Sequence, residues 1–415
     1  MTLRRRRLVL AALAAYAVAG SVFWIRRTED FGGYLWAGEA VLNGLPLYED
    51  FAPGVRNTWP PFFALVAVPL ALLDRLSPLV SRGIWIAVSL GSLLVALAIV
   101  ARRLAGRSLR LRAEVGEGEI SLAAAGLVVP LLLTDRYVST NFDHLQVNLL
   151  LFALVLAGLE LGARGRDAAG GALIGLASAI KVMPLVFVPY LVWRRKWKLA
   201  ASAVAYFAAF SLSPAFVLGP ARFSAEVAAW RAEVAKGWGV GKMNQSVFAL
   251  FDRLLGHGFL PLAAPGDTFA PESGRLLPAA ATAALAVLVA SVALVLFRGT
   301  ADRSLAEFCE WSAVFTVSAL FSPVAWKAYF CVLLLPNALL FAAWRDPARP
   351  ERSRRIAAAL LIAAALCAWL PAPGLVGGKL AGRLEMTSLP AFSALVLLFG
   401  SLWLRRESGS QRPTS

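Results

Sequence analysis

The stretch SRGIWIAVSLGSLLVALAIVA (81–101) is followed at once by RRLAGRSLRLR (102–112). An apolar run of this length can cross the roughly 30 Å hydrocarbon core of a bilayer as one α-helix. The arginines behind it are typical of the cytoplasmic end of such a helix. This stretch alone predicts a membrane protein.

The composition of the whole chain agrees with that prediction. Of 415 residues, 59% are hydrophobic and 16% charged, and the mean hydropathy of +0.68 lies outside the soluble range. The net charge of +16 would suggest nucleic acid as a partner in a soluble protein. The three cysteines all lie in apolar runs and offer neither a disulfide framework nor a zinc-ligand spacing. With only two histidines, a catalytic acid or base is expected to be a carboxylate.

Apolar runs near spanning length recur along the chain. The other predicted spans are 8–25, 120–134, 145–162, 199–219, 279–298, 308–323, 328–344, 356–370 and 388–404. Residues 168–193 are apolar but interrupted by Lys181 and Pro184, which predicts two half-helices that enter the membrane and return. Segment 62–74 is short and carries Pro69, so we expect a helix in the interface. The predicted fold is an all-α polytopic membrane protein with about twelve transmembrane or membrane-inserted helices.

The distribution of charge predicts the orientation. If the run Arg4 to Arg7 is cytoplasmic, alternation places seven segments in all on the cytoplasmic side, and these are 1–7, 102–119, 163–167, 194–198, 299–307, 345–355 and 405–415. With the adjoining span ends they hold 25 of the 41 Lys and Arg and a net charge of +14, against +2 elsewhere. We therefore expect a multi-pass protein of the bacterial cytoplasmic membrane with both termini cytoplasmic.

The ends of the chain have their own predictions. The N-terminal arginines, the apolar run and Ala17-Val18-Ala19 also fit a cleavable signal peptide, but the run continues to Ile25, which favours a retained anchor. Residues 1–404 are expected to form a single membrane domain. The polar tail 405–415 is expected to be disordered.

Two long segments, 26–80 and 220–278, fall outside the membrane as extracytoplasmic loops. They carry polar, aromatic and Gly/Pro-rich sequence, which favours a site at the outer membrane surface over a mid-membrane transport site. Asp30 follows the first apolar run closely, at the edge of a region of low dielectric constant. It fits a general base with a fixed position, although a solvated acid at the membrane boundary remains open.

Few cations remain on the outer side. Lys181 between its two apolar halves fits a contact to a lipid phosphate or a snorkelling side chain. Trp326 and Lys327 in SPVAWKAYF (322–330) fit an aromatic-belt anchor or a second phosphate contact. Arg253 is the third available cation. The amides of Asn244 and Gln245 suit sugar hydroxyls, or they cap a helix that starts here.

Six segments together resemble glycosyltransferase family 87, polyprenyl-phosphate-mannose-dependent mannosyltransferases of the GT-C superfamily. They are, in order, DFGGYLWAGEAVLNGLPLY (30–48), WPPFFALVAVPLALL (59–73), LQVNLLLF (145–152), GALIGLASAIKVMPLVFVPYLVWRRKW (171–197), NQSVFALFDRLL (244–255) and SPVAWKAYFCVLLLP (322–336). The resemblance implies a GT-C-like fold and a membrane glycosyltransferase. It implies a lipid-phosphate sugar donor and a lipid or glycan acceptor, with membrane lipids as surroundings and no nucleic acid.

The resemblance also assigns roles. Asp30 maps onto the catalytic base of a single displacement with inversion, and the matching segments add Tyr48, Trp59, Gln146 and Asn148 as substrate contacts. Lys327 follows the Ser-Pro-x-x-Trp segment where many family members have histidines, and Leu145 stands where they often have glycine. No cofactor is implied, and a divalent metal near Glu29 and Asp30 has no supporting motif. The alternative functions are a lipid-linked sugar flippase or a non-catalytic membrane subunit of envelope assembly.

Overall fold

A computed structural model describes residues 20, 22–27, 29–48, 57–105, 122–236, 241–257, 276–298 and 303–410. Within these ranges the secondary structure is helical, as predicted. The helices are α1 Glu29–Leu42, α2 Pro61–Leu76, α3 Pro78–Ala105, α4 Leu122–Asp143, α5 Asn148–Ala163, α6 Asp167–Ile180, α7 Phe187–Trp193, α8 Trp197–Leu212, α9 Pro214–Leu218, α10 Pro220–Ala235, α11 Val247–His257, α12 Leu276–Leu296, α13 Arg303–Leu320, α14 Leu334–Arg345, α15 Glu351–Trp369, α16 Pro373–Val376, α17 Gly378–Met386 and α18 Leu389–Ser410, with 3-10 turns at Met183–Val186 and Lys327–Leu333.

The chain divides into two compact units. The single membrane domain expected over 1–404 stays a prediction. Unit 1 comprises Met1–Ile99 and Ser139–Gly237, and unit 2 comprises Val100–Val138 and Trp238–Ser415. Each unit has its own buried residues and is described by itself.

Five helices of the described ranges are long and apolar enough to cross a membrane, or up to six if a bent pair counts as one span. They are Pro78–Leu104, Trp197–Leu218, Leu276–Leu296, Lys327–Arg345 and Leu389–Ser408, and the bent pair is Gly126–Asp143 with Asn148–Ala163. The chain is therefore a multi-pass membrane protein. The count of twelve is not confirmed. The predicted spans 308–323 and 356–370 lie in helices α13 and α15, which are not among these five, and most of the predicted span 8–25 lies outside the described residues.

In unit 1, helix α6 packs against α5 and α8. A Cβ atom added at Gly170 would lie 2.5 Å from the carbonyl oxygen of Gly158, and one added at Gly175 would lie 2.7 Å from Phe207 N. Only glycine allows the backbones of these helices to approach so closely, as small residues do in packed membrane helices.

The predicted break in the segment 168–193 is confirmed. Helix α6 ends at Ile180, and Lys181 is extended with φ −153° and ψ 125°. Pro184 lies in the 3-10 turn that follows, where its missing N–H cannot continue the α-helical bonding. The two halves, Asp167–Ile180 and Met183–Trp193, are both shorter than a span.

The described part of segment 26–80 is largely helical, and beside the helix predicted at 62–74 it contains α1, which was not predicted from the sequence. Gly32, Gly33 and Gly38 lower the intrinsic helix propensity of 30–42. Tertiary packing overrides it, because α1 lies against α2 so closely that a Cβ at Gly38 would be 2.6 Å from the carbonyl oxygen of Ala67. The helix predicted at 62–74 is present as α2, and its place in the interface stays a prediction.

In unit 2, segments that the charge pattern assigned to one side of the membrane lie together. Arg103 pairs with Glu307 at 3.4 Å. Arg405 and Glu310 form a buried pair at 2.8 Å, with 2% and 0% of their side chains exposed. Arg349 pairs with Glu407 at 2.8 Å. Four segments expected to be cytoplasmic therefore meet at one end of α13, α14 and α18.

The tail 405–415 differs from its prediction. Helix α18 continues to Ser410, so the first six residues of the expected disordered tail are helical. The ion pair of Arg405 with Glu310 connects the C-terminal part of α18 to α13. Local composition does not predict such a contact. Residues 411–415 lie outside the described part of the chain.

Candidate functional site

Asp30 is the second residue of helix α1 in unit 1. Its side chain is half-buried and its Oδ2 atom is shielded from solvent. A carboxylate in the first turn of a helix is stabilised by the positive end of the helix dipole. Tyr34 follows one turn later on the same face of α1, so whatever fixes Tyr34 also fixes the position of Asp30.

Tyr34 is fully buried in an aromatic cluster. Its ring packs edge-on against Trp59, Phe63 and Trp85, with centroid distances of 4.8, 4.9 and 5.6 Å. Its hydroxyl oxygen accepts a hydrogen bond from the backbone N–H of Val147 at 3.2 Å. The start of α1 is thereby fixed to the turn that precedes α5.

That turn is built on Leu145, whose φ of +47° lies in the left-handed region that favours glycine. The carbonyl of Leu145 accepts a hydrogen bond from Trp85 Nε1 at 2.7 Å, and Gln146 N donates to Asn141 O at 2.7 Å. This backbone conformation explains why glycine is frequent at this position in the family that the sequence resembles. Here the surrounding hydrogen bonds hold a buried leucine in the same conformation.

Gln146, Asn148 and Lys181 are brought together, and we call them the Lys181 cluster. Lys181 Nζ donates to Asn148 Oδ1 at 3.2 Å, and Asn148 Nδ2 donates to Gln146 Oε1 at 3.2 Å. Both amide side chains are buried, whereas Lys181 is half-buried. A cation at the break between two half-helices is thus linked to the turn that α1 contacts.

Tyr48 and Trp59 also lie together in unit 1. The Tyr48 hydroxyl donates to Trp59 O at 2.8 Å. Burial, followed by the negative charge of Glu226, raises the pKa of Tyr48 above its ordinary value, so the phenol stays protonated at neutral pH. Residues 49–56 between them lie outside the described part of the chain.

Helix α10 contacts the chain both before and after residues 49–56. Glu226 Oε2 accepts a hydrogen bond from Leu47 N at 3.1 Å, and Trp230 Nε1 donates to Thr58 O at 3.0 Å. Glu226 and Trp230 are one turn apart and so lie on the same face of α10. They are positioning residues for the segment that carries Tyr48 and Trp59.

In unit 2, the predicted helix start at 244–246 is confirmed. Ser246 Oγ accepts a hydrogen bond from Ala249 N at 3.1 Å, as an N-cap side chain does. Asn244 Oδ1 accepts from Ser246 N at 3.1 Å and from Ala325 N at 3.2 Å. The capping interpretation of these residues therefore holds, and Asn244 also joins the start of α11 to the SPVAW segment.

Gln245 is fully buried beside Asn244. Its Nε2 donates to the carbonyl oxygens of Lys242 at 2.7 Å and Glu385 at 3.0 Å. Its Oε1 is buried and has no hydrogen-bond partner among the residues that the structure describes. A buried amide oxygen in this state can accept a hydrogen bond from a water or a ligand hydroxyl.

Arg253 was predicted to be an available outer cation, and its burial corrects that prediction. Only 2% of the residue is exposed. Its guanidinium donates to Gly241 O at 3.0 Å, Asn244 O at 2.8 Å and Ser388 Oγ at 2.6 Å. Burial lowers the pKa of Arg253 to about 10, which still leaves it charged at neutral pH. Its hydrogen bonds hold unit 2 together.

Lys327 lies against Glu385 at 2.8 Å, and the same carboxylate oxygen lies 2.5 Å from Arg136. We call Arg136, Lys327 and Glu385 the Glu385 cluster. Lys327 keeps 18% of its side chain exposed, and its neighbour Trp326 is half-buried. Lys327 thus borders solvent or lipid, but a carboxylate already neutralises much of its charge.

Several of these residues were missed from the sequence. Arg136 and Glu385 are charged residues in or beside apolar helices, which was a usable signal because such residues are costly there and usually paired. Tyr34 and Glu226 gave no such signal, since nothing local distinguishes them from other helix residues. Among the side chains that the structure describes, no group of three or more His, Cys, Asp or Glu is placed to hold a metal ion.

Comparison with known proteins adds to this geometry. The profile of glycosyltransferase family 87 matches residues 57–323. A polyprenol-phosphate-mannose-dependent alpha-(1-2)-phosphatidylinositol mannoside mannosyltransferase of Mycolicibacterium smegmatis is 30% identical over 362 residues, which cover 82% of this chain and 75% of that protein. A polyprenol-phosphate-mannose-dependent alpha-(1-2)-phosphatidylinositol pentamannoside mannosyltransferase of Mycobacterium tuberculosis is 31% identical over 331 residues, 78% of this chain and 64% of that protein.

Among solved structures, ArnT from Cupriavidus metallidurans bound to undecaprenyl phosphate aligns with a TM-score of 0.43 and 16% identity, covering 96% of this chain and 78% of that one. The profile match and the mycobacterial relatives decide the assignment. The chain belongs to glycosyltransferase family 87 and is a membrane glycosyltransferase.

Proposed function

We propose that this enzyme transfers a hexose, mannose in the first instance, from a polyprenyl-phosphate donor to a lipid or glycan acceptor at the extracytoplasmic face of the bacterial cytoplasmic membrane. Both mycobacterial relatives carry polyprenol-phosphate-mannose dependence and phosphatidylinositol mannoside acceptors in their names. A donor anchored by its lipid reaches the enzyme through the bilayer. No nucleotide-sugar binding fold is then needed.

In the proposed reaction, Asp30 is the general base. The acceptor hydroxyl oxygen attacks the anomeric carbon while Asp30 takes the hydroxyl proton. The bond between the anomeric carbon and the phosphate oxygen breaks, and polyprenyl phosphate leaves with the bonding electrons. One displacement inverts the anomeric configuration, and such a path needs one essential carboxylate.

One observation carries the proposal, namely the hydrogen bond between Tyr34 and Val147. It joins helix α1, whose second residue is Asp30, to the turn that carries Gln146 and Asn148, and Asn148 in turn contacts Lys181. A base, two amides and a cation therefore belong to one hydrogen-bonded part of unit 1. An anionic leaving group needs cationic and hydrogen-bonding partners, and a fixed base needs a rigid support.

We assign the donor phosphate to Lys181. Its ammonium lies at a break between two apolar half-helices, where a lipid-anchored phosphate can approach from the bilayer. Tyr48 and Trp59 are proposed to contact sugar rings or hydroxyls, as aromatic faces and phenols do. Lys327, Trp326 and the free acceptor of Gln245 remain secondary candidates for substrate contact.

The decisive experiment uses the purified full chain with polyprenyl-phosphate mannose and phosphatidylinositol mannoside acceptors. We expect a lipid product heavier by one hexose in mass spectrometry, and an anomeric configuration by NMR opposite to that of the donor. Retention of configuration would contradict the single displacement. Movement of labelled donor across liposomes without a new glycosidic bond would support the flippase alternative instead.

A further inference from the structure

A cavity lies at the arginine-rich end of unit 2, at the opposite ends of α14 and α18 from Lys327 and Ser388. Its space of about 380 Å³ is open in part to the surroundings of the protein. Its polar lining includes Arg103, Asp346 and Arg349, and its apolar lining includes Leu305, Leu339 and Leu404. All of these residues belong to unit 2, and none belongs to the proposed transfer site.

The two arginines of the lining are held in place. Arg103 lies 3.4 Å from Glu307 and covers the ring of Trp311 at 4.3 Å. Arg349 donates through Nη1 to Glu407 at 2.8 Å, with Nε 3.6 Å from Asp346. Within the described part of the chain, Arg349 Nη2 has no hydrogen-bond partner. A pre-positioned guanidinium with an unused nitrogen suits an anionic ligand.

The surroundings are strongly positive. The segments 102–105, 303–310, 345–355 and 405–408 hold ten arginines and five acidic residues, a net charge of +5. Arg103 with Glu307, Arg405 with Glu310 and Arg349 with Glu407 join these segments at one end of the unit. The internal ion pairs thus leave an excess of positive charge around the cavity.

The presence of both arginine and leucine side chains in the lining indicates which kind of anion the cavity binds. A soluble anion has no use for the apolar part of the lining, to which Leu305, Leu339 and Leu404 contribute. A lipid with an anionic headgroup and acyl chains uses both parts. Basic pockets between helices on the cytoplasmic side of membrane proteins bind acidic lipid headgroups in this way.

We propose that this cavity binds an acidic phospholipid of the cytoplasmic leaflet. Its phosphate lies on Arg349, beside Arg103, and part of an acyl chain lies against Leu305, Leu339 and Leu404. The bound lipid fastens the ends of α3, α13, α14 and α18 and so stabilises unit 2.

The test is lipid binding by the full chain, delipidated in neutral detergent. Native mass spectrometry counts bound lipids, and tryptophan fluorescence follows thermal unfolding. We expect phosphatidylglycerol to bind and to raise the unfolding temperature, whereas phosphatidylcholine, glycerol 3-phosphate and inorganic phosphate do not. Equal stabilisation by phosphatidylcholine would overturn the role of charge. Equal binding of glycerol 3-phosphate would turn the site into one for a soluble anion and overturn the lipid assignment.

Two variants locate the site. Arg349→Gln is expected to weaken phosphatidylglycerol binding roughly tenfold. Ala342→Phe places a larger side chain in the cavity from its wall, and is expected to abolish the bound lipid even if Arg349→Gln folds poorly. Arg355→Gln is the matched control, because Arg355 comes from the same segment and is 79% exposed. Wild-type binding by both Arg349→Gln and Ala342→Phe would place the lipid elsewhere and refute the proposal.

Discussion

The Lys181 cluster of unit 1 and the Glu385 cluster of unit 2 use a lysine in two different ways. Lys181 donates to a neutral amide, Asn148, which is itself held by Gln146. Lys327 lies on a carboxylate that also holds Arg136. The glutamate on Lys327 offsets part of the attraction of that lysine for a further anion. The Glu385 cluster is therefore assigned mainly to holding unit 2, and Lys181, at the break between two half-helices, stays the proposed phosphate contact.

The largest effect that separates the two regions should come from Asp30→Asn. We expect transfer activity to fall by roughly a thousandfold, because a positioned general base contributes about this much to the rate. Thermal unfolding should change little, since the amide is nearly isosteric. Initial rates with saturating donor measure the loss.

The matched control is Glu39→Gln, on the same helix. Glu39 is a surface carboxylate paired with Arg75 at 2.5 Å, and that arginine holds its pKa below the ordinary value. Its loss should leave the rate within about twofold of wild type. Full activity of Asp30→Asn would remove Asp30 as the base.

In unit 2 the corresponding large effect is on stability. Arg253→Met should lower the free energy of unfolding by about 3 kcal/mol, because it leaves buried carbonyl oxygens of Gly241 and Asn244 without their donor. Unfolding in detergent followed by tryptophan fluorescence measures it. Arg383→Met, an exposed arginine of the same unit, serves as control and should cost less than about 0.5 kcal/mol. Wild-type stability of Arg253→Met together with weaker donor binding would restore Arg253 as a substrate contact.

Lysine substitutions compare the two clusters directly. Lys181→Met should raise the donor KM about tenfold, as expected for the loss of one charged contact to phosphate. Lys327→Met should raise it by about threefold or less, because Glu385 already balances that charge. Lys198→Met, an exposed lysine on α8, is the control. A larger effect from Lys327 than from Lys181 would reverse the assignment of the phosphate.

The smallest expected effect tests the capping interpretation. Ser246→Ala should lower stability by about 1 kcal/mol through loss of the N-cap hydrogen bond to Ala249, with transfer kinetics unchanged. The exposed Ser224 of α10 provides the control substitution Ser224→Ala. A change of donor or acceptor KM in Ser246→Ala at wild-type stability would point to substrate contact instead.

Individual residues show which features of the candidate site could be predicted from the sequence. Leu145 was noted as a departure from a frequent glycine, and its positive φ supplies the reason. The break at Lys181 followed from Pro184 and from the length of each apolar half. Arg253, in contrast, is predicted from the sequence as an outer cation because it lies in the segment 220–278, whereas its side chain is buried against Ser388. The helix α1 was missed because its stability comes from contact with α2 and not from its own composition.

The sequence by itself determined that this is a multi-pass helical membrane protein, where several of its helices lie and which of its ends carry the arginines. These properties depend on hydrophobicity and charge over some twenty consecutive residues, which is the length a bilayer imposes. The tertiary structure alone decided which polar side chains meet. Arg136 and Glu385 are 249 residues apart in the chain, and Lys181 and Asn148 are 33 apart. Such contacts arise from the packing of whole helices, and no local pattern encodes them.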